Sequence, residues 1–148
     1  MKLSYELTKD EAEDFKAFYK EKEGKLDDLK IALTRFNETY RREGIGERKY
    51  EDVFIDCCIA FESLFCKDTR QKGEIIATGA SMLLGKDNNE REDINNYLRK
   101  AYGVRNDIVH ASLPISDSLK NRKIDDDLEI FISKVEDYLR LCIKKLIS

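Results

Sequence analysis

The sequence predicts an all-α fold, an antiparallel bundle of about five to six helices in a single domain. Three observations carry that expectation. The chain has 148 residues, with 41% hydrophobic and 39% charged side chains, enough apolar material for one core and enough charge for a helix-rich, hydrated surface. Breakers are scarce: there is one proline, Pro114, and seven glycines, and the segments between them are rich in Glu, Lys, Leu and Ile. The long segments repeat their apolar residues at three- and four-residue steps, the period of a helix with one buried face.

The elements follow in order. Thr8 and Glu11 form a capping box that opens a first helix, with Phe15, Phe18 and Tyr19 on its apolar face and Gly24 at its end. A second helix is expected from about Leu26 to Arg42, carrying Leu26, Leu29, Ile31, Leu33 and Phe36. These N-terminal helices occupy residues 1–45, and "REGIGERK" supplies the turn that follows. The core of the domain is expected over residues 50–148. Its first helix, from about Tyr50 to Cys66, is the most periodic, with Val53, Phe54, Cys57, Phe61, Leu64 and Phe65 on one face. Between Gly73 and Gly85, Ile75, Ile76, Met82, Leu83 and Leu84 predict a buried helix whose Ala77, Gly79 and Ala80 admit a close neighbour. Asp87 and Glu90 form a second capping box, opening a helix through Ile94, Tyr97, Leu98 and Ala101. "SLPISDSLKNRK" reads as a polar loop. Asp125 or Asp126 then caps a last helix with Leu128, Phe131, Ile132, Val135, Leu139, Ile143 and Leu146, whose acidic start and lysine-rich end suit the helix dipole.

Composition also narrows the function. A net charge of −3 and a pI near 5.4 argue against a general nucleic-acid coat but leave room for a local basic cleft. Cys57, Cys58, Cys66 and Cys142 form no CxxC pair, and one histidine does not complete a usual zinc set, so no metal or other cofactor is expected. The thiols read as reduced, small hydrophobes. The start lacks a hydrophobic signal region, and no apolar run approaches the ~20 residues of a membrane span, so a cytoplasmic protein without membrane contact is expected.

The chemistry concentrates in "AYGVRNDIVHAS", residues 101–112, which holds the chain's single histidine, His110, five positions after Arg105. On one continuous helix at ~100° per residue, Ile94, Leu98, Ala101 and Ile108 form an apolar stripe with Arg105 in its middle. Arg99, Asn106 and His110 then share another side, and Arg105 and His110 lie ~140° apart. A guanidinium on an apolar face needs a partner. Glu62, in the helix from about Tyr50 to Cys66, is a candidate acid; otherwise a bend near Gly103 or a subunit interface would turn Arg105 and His110 into one cavity. Histidine exchanges protons near neutral pH, and arginine makes forked bonds to phosphate oxygens. The two suit RNA cleavage without a metal: one group activates the ribose 2′-OH, a cation stabilises the phosphorane, and Tyr102 or Asn106 positions the phosphate or a base.

The surrounding residues extend the signal. "YGVRNDIVHAS" resembles the closing motif of the HEPN superfamily, an arginine, a polar residue, three further positions and a histidine, here Arg105, Asn106 and His110. From "AFESLF" through "EIIATGASMLLG" to that motif, roughly residues 55–113, the chain resembles the ApeA-like HEPN branch; Ala111 stands where that branch often has glycine. The resemblance implies a small helical domain that usually dimerises and acts as a metal-independent endoribonuclease, with Arg and His of both subunits lining one composite cleft. It implies proton transfer by His110, phosphate binding by Arg105, Asn106 at the polar position and Tyr102 at the preceding aromatic one. It also implies products ending in 2′,3′-cyclic phosphates and a toxin–antitoxin or antiviral setting, in which an antitoxin or another protein is a partner.

Two further readings stand beside that one. A non-catalytic HEPN-like module would bind RNA or protein, or dimerise, without cleaving. A purely structural helical domain would use His110 to cap its helix and Arg105 in a salt bridge. RNA affinity needs local cations, which Arg99, Lys100 and Arg105 can supply, with Arg70 and Lys72 or Arg122 and Lys123 nearby in sequence; singly, each reads as solvated charge.

Overall fold

The structure, a computed structural model, describes residues 26–39, 46–66 and 70–147. Among these, every regular element is a helix, and the chain forms an all-α bundle: α1 (Leu26–Thr39), α2 (Glu47–Phe65), α3 (Lys72–Leu84), α4 (Asn88–Ala111), α5 (Ile115–Asn121) and α6 (Leu128–Ile147). The helix expected from Thr8 to Gly24, and the part of the second helix beyond Thr39, lie outside the described residues.

One continuous core joins all of these helices. Phe36 of α1, Phe54 of α2, Ile76 of α3, Val104 of α4, Ile115 of α5 and Phe131 of α6 are all buried in it. Cys57, Cys58 and Cys142 pack there as free thiols, Cys66 is half-buried, and burial pushes the Cys142 thiol up to about 12. Among the described residues no helix is long and apolar enough to cross a membrane.

Local sequence sets several helix ends. Asp87 accepts the Glu90 N–H at 2.8 Å, the expected N-cap of α4. That helix runs unbroken through Gly103 to Ala111 and closes with Ser112 in the left-handed region (φ 52°), where the Leu113 N–H bonds the Asp107 carbonyl at 3.0 Å. The cap of α6 is Asp127, not Asp125 or Asp126: its carboxylate accepts the Ile130 N–H at 2.9 Å. Asp126 instead binds Lys134 at 3.0 Å and accepts the Tyr97 hydroxyl at 2.9 Å, which ties α4 to α6.

Three expectations fail for tertiary reasons. The polar loop after α4 contains α5, whose Ile115, Ser118 and Leu119 are buried. Its N-terminus is capped from a distance: Glu51 accepts the Ile115 N–H at 3.0 Å and Glu47 the Ser116 N–H at 2.7 Å, both from the start of α2. Ile31 and Met82 are exposed, since α1 and α3 turn other residues inward. On α4 the buried stripe continues through Val104, so Arg105 stands at its edge and not in its middle.

Candidate active site

The loop before α3, the first turn of α3, the C-terminal half of α4 and the residue after α5 enclose an open cavity of about 860 Å³. Arg99, Tyr102, Arg105, Asn106 and His110, all singled out in the sequence, line it. So do Arg70, Lys72 and Arg122, against one acid, Glu74. Five cationic side chains line one cavity of an acidic protein, and although Glu62, Glu74 and Asp107 pair with four of them, cations outnumber these carboxylates there, an excess that the net charge of −3 conceals. Lys100 is not part of it; its ammonium reaches the Lys123 carbonyl at 3.5 Å, beside a smaller pocket between α4 and α6.

Arg105 and His110 meet within one chain and without a bend. Nη1 of Arg105 lies 3.4 Å from Nε2 of His110 and 3.3 Å from Oδ1 of Asn106. The helix places their Cα atoms on different sides, but the long arginine side chain spans the five-residue rise of ~7.5 Å along the axis. A guanidinium only donates, so a hydrogen bond in this contact requires Nε2 of the imidazole as the acceptor. His110 itself is exposed in the last turn of α4.

The acid partner is Glu62 of α2. Its Oε1 lies 3.7 Å from Nη2 of Arg105 and 3.1 Å from the Lys72 ammonium, and it accepts a hydrogen bond from the Tyr102 hydroxyl. Arg105 also sits over the Tyr102 ring, 5.4 Å from its centre. Tyr102 is buried, and burial together with the Glu62 bond raises its hydroxyl well above the usual tyrosine range, so it stays a donor. Its ring walls the cavity while its hydroxyl is committed beneath it. A β-carbon at Gly73 would fall 3.0 Å from that ring, so the glycine lets the start of α3 close against α4.

Compared with known proteins, the chain matches no family model, no curated protein and no solved structure.

On the far side of the cavity Asp107 holds Arg122. Its carboxylate accepts Nε at 3.0 Å and Nη2 at 2.8 Å, and the Ser118 hydroxyl at 2.7 Å. The bonds from Arg122 and then Ser118 hold the Asp107 carboxyl below the usual carboxylate range. Arg99 lies between Asn95 and Glu74, 3.8 Å from the latter, which links α4 to α3. Sequence reasoning offered Arg70, Lys72 and Arg122 as nearby cations but read each singly as solvated charge, and it did not name Asp107. They come from separate segments, and no local pattern joins Asp107 to an arginine fifteen positions on. The gathering of cations at one cavity is visible only once the chain is folded.

Proposed function

We propose that this cavity binds the phosphates of RNA and cleaves the strand without a metal, as a nuclease of HEPN type. The observation that carries this reading is the contact of Arg105 with His110 inside a cavity walled by five cationic side chains. In that reading His110 takes the proton of the ribose 2′-OH through the ring nitrogen that accepts from Arg105. The 2′-oxygen attacks phosphorus, and Arg105 stabilises the extra negative charge of the phosphorane. The bond from phosphorus to the 5′-oxygen breaks, the 5′-oxygen leaves with a proton given by the imidazole of a second copy, and the bond retained between the 2′-oxygen and phosphorus leaves a 2′,3′-cyclic phosphate. Glu62 orients Arg105, and the Tyr102 hydroxyl and Lys72 occupy the same carboxylate oxygen. Asn106 fixes the other edge of the guanidinium and Arg99 steers the strand.

One chain offers a single imidazole for two proton transfers, and Val109, next to His110 in sequence, is an exposed apolar side chain, 46% accessible. Both favour a homodimer in which a second copy completes the cleft. The same exposed residue supports the second reading, a non-catalytic RNA-binding or protein-interaction module.

The test is incubation of the purified protein with mixed RNA in EDTA, beside His110→Ala, followed by analysis of the product ends. The proposal expects cyclic phosphate ends from the wild type and none from the folded variant. Cleavage by neither protein, with RNA bound, establishes the binding module. Equal cleavage by both removes His110 from the reaction.

A further inference from the structure

Arg122 enters the cavity by a device that the Arg105–His110 pair does not need. Its guanidinium lies flat on the backbone of α4: a β-carbon at Gly103 would fall 2.8 Å from both Cζ and Nη1. Gly103 is therefore the gap into which Arg122 fits, not the site of a bend. Asp107, one turn further along α4, takes Nε and Nη2 in a two-toothed pair, and the Ser118 hydroxyl of α5 donates to the same carboxylate oxygen that accepts Nε. The remaining donors, both of those on Nη1 among them, stay available at the cavity. Arg105 is fixed by a different carboxylate, Glu62, so the cavity has two separately anchored guanidinium groups.

Their positions on α4 differ. Arg99, Gly103, Asn106 and His110 follow one face of the helix at four-, three- and four-residue steps. Arg122, laid over Gly103, thus stands on the His110 face, with Gly103 ~10 Å along the axis from His110. One phosphate group cannot reach across that separation, whereas successive phosphates of one strand can.

We propose that Arg122 forms a second phosphate subsite of the cleft, for a phosphate on the neighbouring nucleotide, and that Asp107, Ser118 and the missing side chain at Gly103 are the positioning elements that create it. This rests on the reading of the cleft as an RNA site. The strand then runs along α4, from Arg99 past Arg122 to His110. The ligand class is an oligonucleotide with at least two consecutive phosphates, not a single phosphate or a mononucleotide.

The experiment measures fluorescence anisotropy of a labelled 2′-O-methyl RNA oligonucleotide, which lacks the 2′-OH and is not cleaved. Arg122→Ala is expected to weaken binding about tenfold, the loss of a charge-assisted phosphate contact. Gly103→Ala keeps both Arg122 and Asp107 but pushes against the flexible end of the arginine, so it is expected to produce the same loss with helix content unchanged. The double variant binds no worse than either single one, since both changes act on one guanidinium. Arg122→Lys does not restore affinity, because an ammonium cannot make the two-toothed pair. Lys123→Ala, outside the cavity, binds as the wild type. Wild-type affinity in Arg122→Ala or in Gly103→Ala, or losses that add in the double variant, overturn the subsite. A wild type that binds no oligonucleotide overturns the reading of the cleft itself, and the subsite with it.

Discussion

Glu136 is a carboxyl buried in the core, and it makes the stability of the fold depend on pH. It lies on α6, 4% accessible, beside Cys57 of α2, and its Oε2 has no hydrogen-bond partner. Burial, with a smaller contribution from Asp137, pushes its carboxyl up to about 8. An unfolded glutamate titrates near 4.3. Below that pH both states hold the proton and Glu136 costs nothing electrostatically. Between about 4.3 and about 8 the unfolded chain has released the proton and the folded one keeps it, so stability falls as pH rises. At about 1.36 kcal/mol per pH unit the loss reaches roughly 3–4 kcal/mol at pH 7 and levels off near 5 kcal/mol above pH 8. Glu136→Gln keeps the shape and removes the titration. Urea unfolding at several pH values between 5 and 8.5 checks this: the two proteins differ little at pH 5, and the variant gains over the wild type as pH rises. Parallel profiles for the two proteins over that range refute the argument.

The same titration bears on the active-site assay. A nuclease activity that fades above neutral pH invites assignment to a group in the cavity, but partial unfolding driven by Glu136 produces the same limb. Glu136 lies outside the cavity, so in the Glu136→Gln background an alkaline limb set by core unfolding disappears and one set by the site stays.

Three further perturbations have defined outcomes. Tyr102→Phe keeps the ring under Arg105 and removes the donor to Glu62; a loss of about 1.5–3 kcal/mol in urea unfolding is expected, as for a bond to a charged group. Gly79→Ala drives a β-carbon to 2.7 Å from the Phe65 ring between α3 and α2, and the overpacking is expected to lower stability by about 1–3 kcal/mol and the melting temperature with it. Ser112→Gly relieves a non-glycine residue at φ 52° at the end of α4 and is expected to raise stability by up to about 1 kcal/mol, read from the denaturation midpoint.

Much of the bundle was legible because its cues are local. Periodicity found α2, α4 and α6, and the Asp87–Glu90 pair gave the start of α4. The short α5 was hidden because its caps, Glu47 and Glu51, stand more than sixty positions earlier. A window centred on "SLPISDSLKNRK" sees only proline, serine and charge, and cannot see the carboxylates that satisfy the first N–H groups.

The site divides along the same line, between what the backbone of one helix fixes and what side chains reach. The helical projection correctly put Arg105 and His110 on different sides of α4, and on that ground alone they required a bend or a second subunit to meet. Neither is needed for the contact. The projection describes Cα directions, whereas the guanidinium sits at the end of a long chain, and Glu62 with the Tyr102 ring draws it round toward His110. Arg105 is therefore held from three sides before any ligand arrives, by a carboxylate, an aromatic face and an imidazole. Such a group loses little freedom on meeting a phosphate, but it must exchange part of its pairing with Glu62 for pairing with the ligand. Glu62→Gln weakens that competing partner and leaves an oxygen for the Tyr102 hydroxyl. If Glu62 serves only to compete, the variant binds the uncleavable oligonucleotide more tightly than the wild type. If Glu62 chiefly orients Arg105, as argued above, cleavage falls while affinity holds or rises. A fall in affinity together with cleavage means that Glu62 holds the whole basic wall in place, through Lys72 as well as Arg105.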